Sequence, residues 1–166
     1  FSYNTYLNET KIKHEQNLLE QTLHDISDAK FEPCGGGRMH YLRWRCWETA
    51  KNLSNSKIQY DTSLGYAEQI GFRCGTCQCY EPFDPVSLKM IAIKIIPLTI
   101  MEGTIWGKNY MGLNNPREFL RESYDIIKKV YDVGGVCNLL WHNSDLTEEW
   151  QKNLYLKVVH YAKKPN

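Results

Sequence analysis

The chain predicts an α/β fold of one domain, on three observations. Apolar residues recur at helical spacing in several stretches, short apolar runs of the kind that become buried strands lie between them, and the two kinds of segment alternate. The clearest strand is the run from Val136 to Trp141, with Gly134-Gly135 before it and His142 closing it. A length of 166 residues suffices for one core of useful size.

Each element has its own justification. A first helix is expected over residues 9–27, capped by Asn8, with Ile12, Leu19, Leu23 and Ile26 on one face. The flexible segment Pro33-Cys34-Gly35-Gly36-Gly37 leads into Arg38-Met39-His40-Tyr41-Leu42-Arg43, and a second helix follows over 44–53. Ile58-Gln59-Tyr60-Asp61 reads as a short strand ending in a carboxylate. Residues 65–85 are aromatic-rich without a clean period, a loop length usually tied to function or mobility. Residues 92–101 resemble one or two strands interrupted by Pro97. Asn115-Pro116 is a cap-then-proline helix start, with Leu120, Tyr124, Ile127 and Tyr131 as the buried stripe and Gly134 as the stop. After the Val136–Trp141 strand, Asp145-Leu146-Thr147-Glu148 has capping-box spacing. Trp150, Leu154, Val158 and Tyr161 then form the buried face of a last helix.

Composition removes several function classes. Twenty basic and nineteen acidic side chains leave a net charge of +1, which supplies no general attraction for nucleic acid or an anionic membrane. No apolar run reaches the length of a membrane span; the longest candidate, residues 90–101, is broken by Lys94 and Pro97. Three of the six cysteines crowd into Cys74-Gly75-Thr76-Cys77-Gln78-Cys79. Such spacing serves a redox dithiol or half a zinc site, but the loop-like Tyr80-Glu81-Pro82 follows, and Cys34 and Cys46 are not spaced as a second pair. Reduced loop cysteines are the simpler reading, and a thiol or zinc module the alternative.

The candidate chemistry lies at strand ends. In α/β proteins the carboxyl ends of strands open onto the ligand crevice, so His142 and Asp61 are each expected to sit at a functional rim. A carboxylate beside an imidazole raises its pKa and selects its tautomer, which suits a general acid near neutral pH. On that basis Asp61 is expected to meet His142; its structural alternative is a turn-capping role through Asp61-Thr62-Ser63. Arg38, His40 and Arg43 follow a glycine run and suit either anion binding or the solvated face of a strand.

Six segments in order resemble the carbohydrate (polysaccharide) deacetylase family of NodB-homology type. They are Ser2-Tyr3-Asn4, the Arg38–Arg43 block, Tyr60-Asp61-Thr62-Ser63-Leu64-Gly65-Tyr66-Ala67, Gly71-Phe72-Arg73-Cys74-Gly75-Thr76, Ile96-Pro97-Leu98-Thr99-Ile100-Met101-Glu102-Gly103-Thr104, and Leu140-Trp141-His142-Asn143. The resemblance implies a partial or irregular (β/α) barrel and a metal-dependent hydrolase that removes acetyl from an N-acetylated sugar of a bacterial surface glycan or its precursor. A divalent metal, zinc in most of the family, would polarise the acetyl carbonyl and activate water. By resemblance, His142 matches the general acid, Asp61 the acidic residue that tunes it, and Arg38 the arginine that orients the catalytic base. His40, Tyr41, Tyr66, Arg73 and Trp141 are expected to contact the carbohydrate, and Asn4 to take a metal-ligand position. The base aspartate and most metal ligands would lie upstream of Phe1, so residues 1–166 would form the C-terminal portion of such a barrel, completed by that missing N-terminal segment. Asn is a poorer zinc ligand than His. The alternative is therefore a catalytically inactive relative that binds glycan or assists its assembly.

Overall fold

The computed structural model describes residues 1–26 and 35–163. The chain forms two compact units, Phe1–Leu64 with Cys79–Ile96, and Gly65–Gln78 with Pro97–Asn166.

The first unit begins with α1 (Glu9–Ile26). Asn8 caps it as expected, its Oδ1 accepting from the Lys11 N–H at 3.0 Å. Of the expected stripe only Ile12 is fully buried; Leu19 is exposed and Ile26 is 73% exposed. The expected helix end at Ser27 and the Pro33-Cys34 part of the flexible segment lie outside the described residues. β1 (Gly36–Gly37) follows, then a 3₁₀ turn over His40–Leu42, α2 (Cys46–Asn55) and β2 (Tyr60–Asp61). Chain then forms a hairpin of β3 (Phe83–Asp84) and β4 (Lys89–Met90), and ends this unit on β5 (Lys94–Ile95). The strands β1, β2 and β5 pair parallel in that order, Gly37 opposite Asp61 and Asp61 opposite Ile95. Rings pack directly on the β1 glycines: a Cβ on Gly36 would lie 2.1 Å from the Tyr60 ring and one on Gly37 2.2 Å from the Phe1 ring, so a larger residue would displace them. Ile12, Met39, Leu53, Ile58 and Ile95 form the core. The hairpin turn is held by buried Asp84, whose carboxylate accepts from Val86 N–H at 3.0 Å and pairs with Lys51 at 2.7 Å. Lys51 first, and the Ser87 hydroxyl second, hold its carboxyl well below the usual range.

The second unit contains β6 (Ile100–Met101), α3 (Glu102–Trp106), α4 (Pro116–Asp132), β7 (Leu139–Leu140), a 3₁₀ turn over Asn143–Leu146, and α5 (Glu149–Lys163). β6 and β7 run parallel, Ile100 opposite Leu139 and Met101 opposite Leu140, so α3 and α4 form the crossover. Asn115 caps α4 by accepting from Arg117 N–H at 2.9 Å. Gly134, at φ 60°, ends it: its N–H reaches the Tyr131 carbonyl, and Gly135 N–H the Val130 carbonyl. The buried stripe of α4 is Phe119, Ser123, Ile126, Ile127 and Val130, one residue round from the expected one. Leu120 and Tyr124 flank that core, while Tyr131 is exposed. The expected capping box at Asp145 does not form. α5 begins later, and Gln151 Oε1 accepts from Glu148 N–H at 2.9 Å. Leu154 and Val158 are buried as expected, but Trp150 is exposed.

The α/β class therefore holds, built from small sheets. Among the described residues the strands do not close into a barrel. Phe119 is fully buried, stacked on Trp106 with centroids 4.6 Å apart. Phe119→Ala is expected to destabilise the protein by about 3–5 kcal/mol in urea unfolding, the usual cost of removing a buried ring. A loss under about 1 kcal/mol would show that this ring does not hold the core.

Candidate functional site

The polar centre of the second unit grows from the ends of its two parallel strands. Met101 and Leu140 are opposite one another, and the chain leaves β6 directly into Glu102 and leaves β7 through Trp141 into His142. Pairing in this register brings a carboxylate and an imidazole to the same sheet end. Glu102 is 0% exposed, whereas the His142 side chain is 51% exposed. Oε1 of Glu102 accepts from the His142 backbone N–H at 2.9 Å and is also bonded to the ring Nδ1. A carboxylate is an acceptor only, so Nδ1 carries the proton in that bond and Nε2 is the nitrogen left for other work. Oε2 of Glu102 is buried and has no hydrogen-bond partner among the described residues.

The turn after β7 is fixed by two further bonds. Asp145 N–H donates to the His142 carbonyl at 3.0 Å, and Trp141 Nε1–H donates to the Asp145 carbonyl at 3.3 Å. The Trp141 ring packs on Phe119 and Tyr155, at 5.6 and 5.2 Å between centroids. This ring, expected to contact carbohydrate, thus anchors the turn that carries His142. Glu102, His142 and Asp145 each offer a ligand atom, all within 4.8 Å of one another, and this group can hold a metal ion. Tyr66 and Arg73 belong to the same unit and are exposed, Arg73 donating to the Gly65 carbonyl at 2.9 Å. A groove of about 390 Å³ is lined by Trp106, Leu113, Asn114, Pro116 and Trp150.

No protein-family model, curated protein or solved structure matches the chain.

The remaining expected residues lie in the first unit. Asp61 ends β2 as anticipated and is fully buried, but its hydrogen bonds go to one residue: Oδ1 accepts from Ser63 N–H at 2.7 Å and Oδ2 from Ser63 Oγ at 2.8 Å. Ser63 Oγ in turn accepts from Met39 N–H at 2.8 Å. The carboxylate bonded to His142 is Glu102, in place of the expected Asp61. The turn-capping alternative describes Asp61 as found. Arg38 Nε donates to the carbonyl and hydroxyl oxygens of Thr62, at 3.1 and 3.0 Å, beside that buried acid. His40 and Tyr41 are exposed with rings 4.5 Å apart, on the 3₁₀ turn where a strand was one expectation.

Asn4 does not fit a metal. Its Oδ1 accepts from Arg43 Nη1 at 3.3 Å, so a cation there would face a guanidinium. Arg43 is held between the rings of Tyr3 and Tyr6, 4.0 and 4.2 Å from their centroids, and its Nη2 donates to the Tyr6 hydroxyl at 2.8 Å. The cysteine motif also gathers no such group: among the described residues Cys74, Cys77 and Cys79 are free thiols, and Cys77 is buried.

Neither Glu102 nor Asp145 carries a local signal that sets it apart as functional. Glu102 follows the apolar run of residues 98–101 as Asp61 follows Ile58–Tyr60, so the same strand-then-acid pattern marks both. Asp145 was absorbed into a helix-cap motif that does not form.

Burial pushes the Asp61 carboxyl up to about 6 from 3.8, against the opposing effect of the Ser63 donors and nearby Arg38. A carboxyl raised on folding contributes most below its unfolded pKa, and that contribution is lost as pH rises from 3.8 through about 6. Relative to Asp61→Asn, the native protein should lose up to about 3 kcal/mol between pH 4 and pH 7 in urea unfolding. A difference between the two proteins that stays constant with pH would refute the buried, uptake-prone carboxyl.

Proposed function

We propose that this protein is a carbohydrate deacetylase-like amide hydrolase in which His142 is the general acid and Glu102 the residue that positions it. The observation that carries the reading is the buried Glu102 oxygen bonded both to the backbone N–H of His142 and to its ring, while the imidazole itself stands half-exposed. This arrangement holds the ring from behind and leaves Nε2 free to meet a substrate. The substrate class, an N-acetylated sugar of a glycan or its precursor, comes from the family resemblance. The aromatic groove at Trp106 and Trp150 supports it, since indole rings suit the apolar faces of sugars.

In the reaction, water adds to the acetyl carbonyl carbon and the C–N bond breaks. The departing nitrogen takes a proton from the His142 imidazolium; of the two protons the water brings, one restores the imidazolium and one passes to solvent, and the products are acetate and a free amine. Glu102 stabilises the protonated ring before transfer and keeps its orientation afterwards. Arg38 and Asp61 are given no part in this proton transfer. The resemblance also calls for a divalent metal of the zinc class that polarises the carbonyl. Asn4, engaged by Arg43, does not fit that duty, and no step here passes through a metal.

That same engagement of Asn4 favours a second reading, a deacetylase-like fold that binds glycan without hydrolysing it. Acetate release from N-acetylated hexosamine oligosaccharides separates the two. His142→Ala is expected to reduce turnover by about a hundredfold or more. Glu102→Gln, which keeps an acceptor but removes the charge, should lower turnover about tenfold or more at unchanged KM. Turnover untouched by His142→Ala would remove the histidine from the mechanism, and sugar binding without acetate release would establish the second reading.

A further inference from the structure

The second oxygen of Glu102 is unexplained by proton transfer. Oε1 holds His142 through two bonds, yet Oε2 is buried with no partner. A carboxylate oxygen removed from water and given no donor is costly, and a cation is the partner that best offsets the cost. Two further ligand groups stand beside the Glu102 carboxylate. The His142 imidazole and the half-buried Asp145 carboxylate each bring an atom within 4.8 Å of the others. Asp145 is pre-positioned by its N–H bond to the His142 carbonyl and by the Trp141 indole on its own carbonyl.

The donor set is one imidazole nitrogen and two carboxylate oxygens. Zinc binds such donors at about 2.0–2.2 Å and takes three protein ligands with an open position in its non-structural sites. Imidazole argues against magnesium or calcium, which prefer all-oxygen shells.

We infer that Glu102, His142 and Asp145 form a binding site for a zinc-class divalent cation, and that an ion held there silences the acid. The site differs from the position the resemblance assigns to Asn4. An ion shared by Glu102 and His142 displaces the proton of the bond between them, and a ring nitrogen that donates its lone pair to a metal cannot also carry a proton, so the occupied site has no imidazolium to protonate a leaving amine. The binding half stands on geometry alone; the silencing half rests on the function proposed above.

The test is a cobalt titration of the full chain, followed by zinc displacement. One equivalent of Co²⁺ is expected to bind with ligand-field bands and without a thiolate-to-cobalt charge-transfer band, which excludes Cys74, Cys77 and Cys79 as ligands. Asp145→Asn and Glu102→Gln should each weaken binding about tenfold or more, since losing a ligand costs at least as much as losing a supporting partner. Asp145→Asn should also keep the native circular dichroism, and zinc, inhibitory for the native protein, should inhibit whatever acetate release the variant retains only at about tenfold higher concentration or more. Binding unchanged in both variants, or bound through thiolates, overturns the site. Binding that behaves as expected while zinc leaves acetate release unaltered overturns the silencing. If no acetate is released at all, the hydrolase reading fails, and the cobalt titration still decides the site.

Discussion

The contact on which the second unit's polar centre depends is the one between Glu102 and His142. It exists because β6 and β7 pair in parallel with Met101 opposite Leu140, so that the residues just beyond each strand come together at one end. One carboxylate oxygen takes both the backbone and the ring of the histidine, which couples the direction of the imidazole to the path of the chain. A ring restrained in this way loses little freedom on engaging a substrate or an ion. The exposed ring and the buried acid divide the labour: one is reachable, the other is insulated from water, where its charge acts more strongly.

Asp61 offers an instructive contrast. It too follows a parallel strand and is fully buried, but both of its oxygens are satisfied by Ser63, whose hydroxyl is in turn committed to Met39. That network is closed and acts to fix a turn. Glu102 has an open oxygen, and an open buried oxygen is the kind of group that functional sites retain. Two acids that look alike in sequence thus differ in chemistry because of what lies within hydrogen-bond reach.

The aromatic residues mostly serve packing. Trp106, Phe119, Trp141 and Tyr155 form a chain of ring contacts that anchors the His142 turn, and Tyr124 stacks on Tyr161 at 4.0 Å. In the first unit, Tyr3 and Tyr6 hold Arg43, and Arg43 occupies Asn4. An aromatic-rich composition therefore says little about ligands until the partners of each ring are known.

The sequence by itself determined the α/β class, the Asn8 and Asn115 caps, the Gly134 stop, the break at Pro97 between two strands, and the strand-end positions of Asp61 and His142. These are local properties, set by backbone sterics, cap chemistry and hydrophobic period within a few residues. Tertiary structure decided which face of α4 is buried: of the Leu120-Tyr124-Ile127-Tyr131 stripe only Ile127 is buried, joined by Phe119, Ser123, Ile126 and Val130 from the adjoining row. It also left Leu19 and Ile26 of the α1 stripe exposed, turned Asp145 from a cap into a neighbour of His142, and gave the imidazole Glu102 as its partner. Those outcomes depend on strand register and on contacts between residues some forty positions apart, which no local pattern encodes.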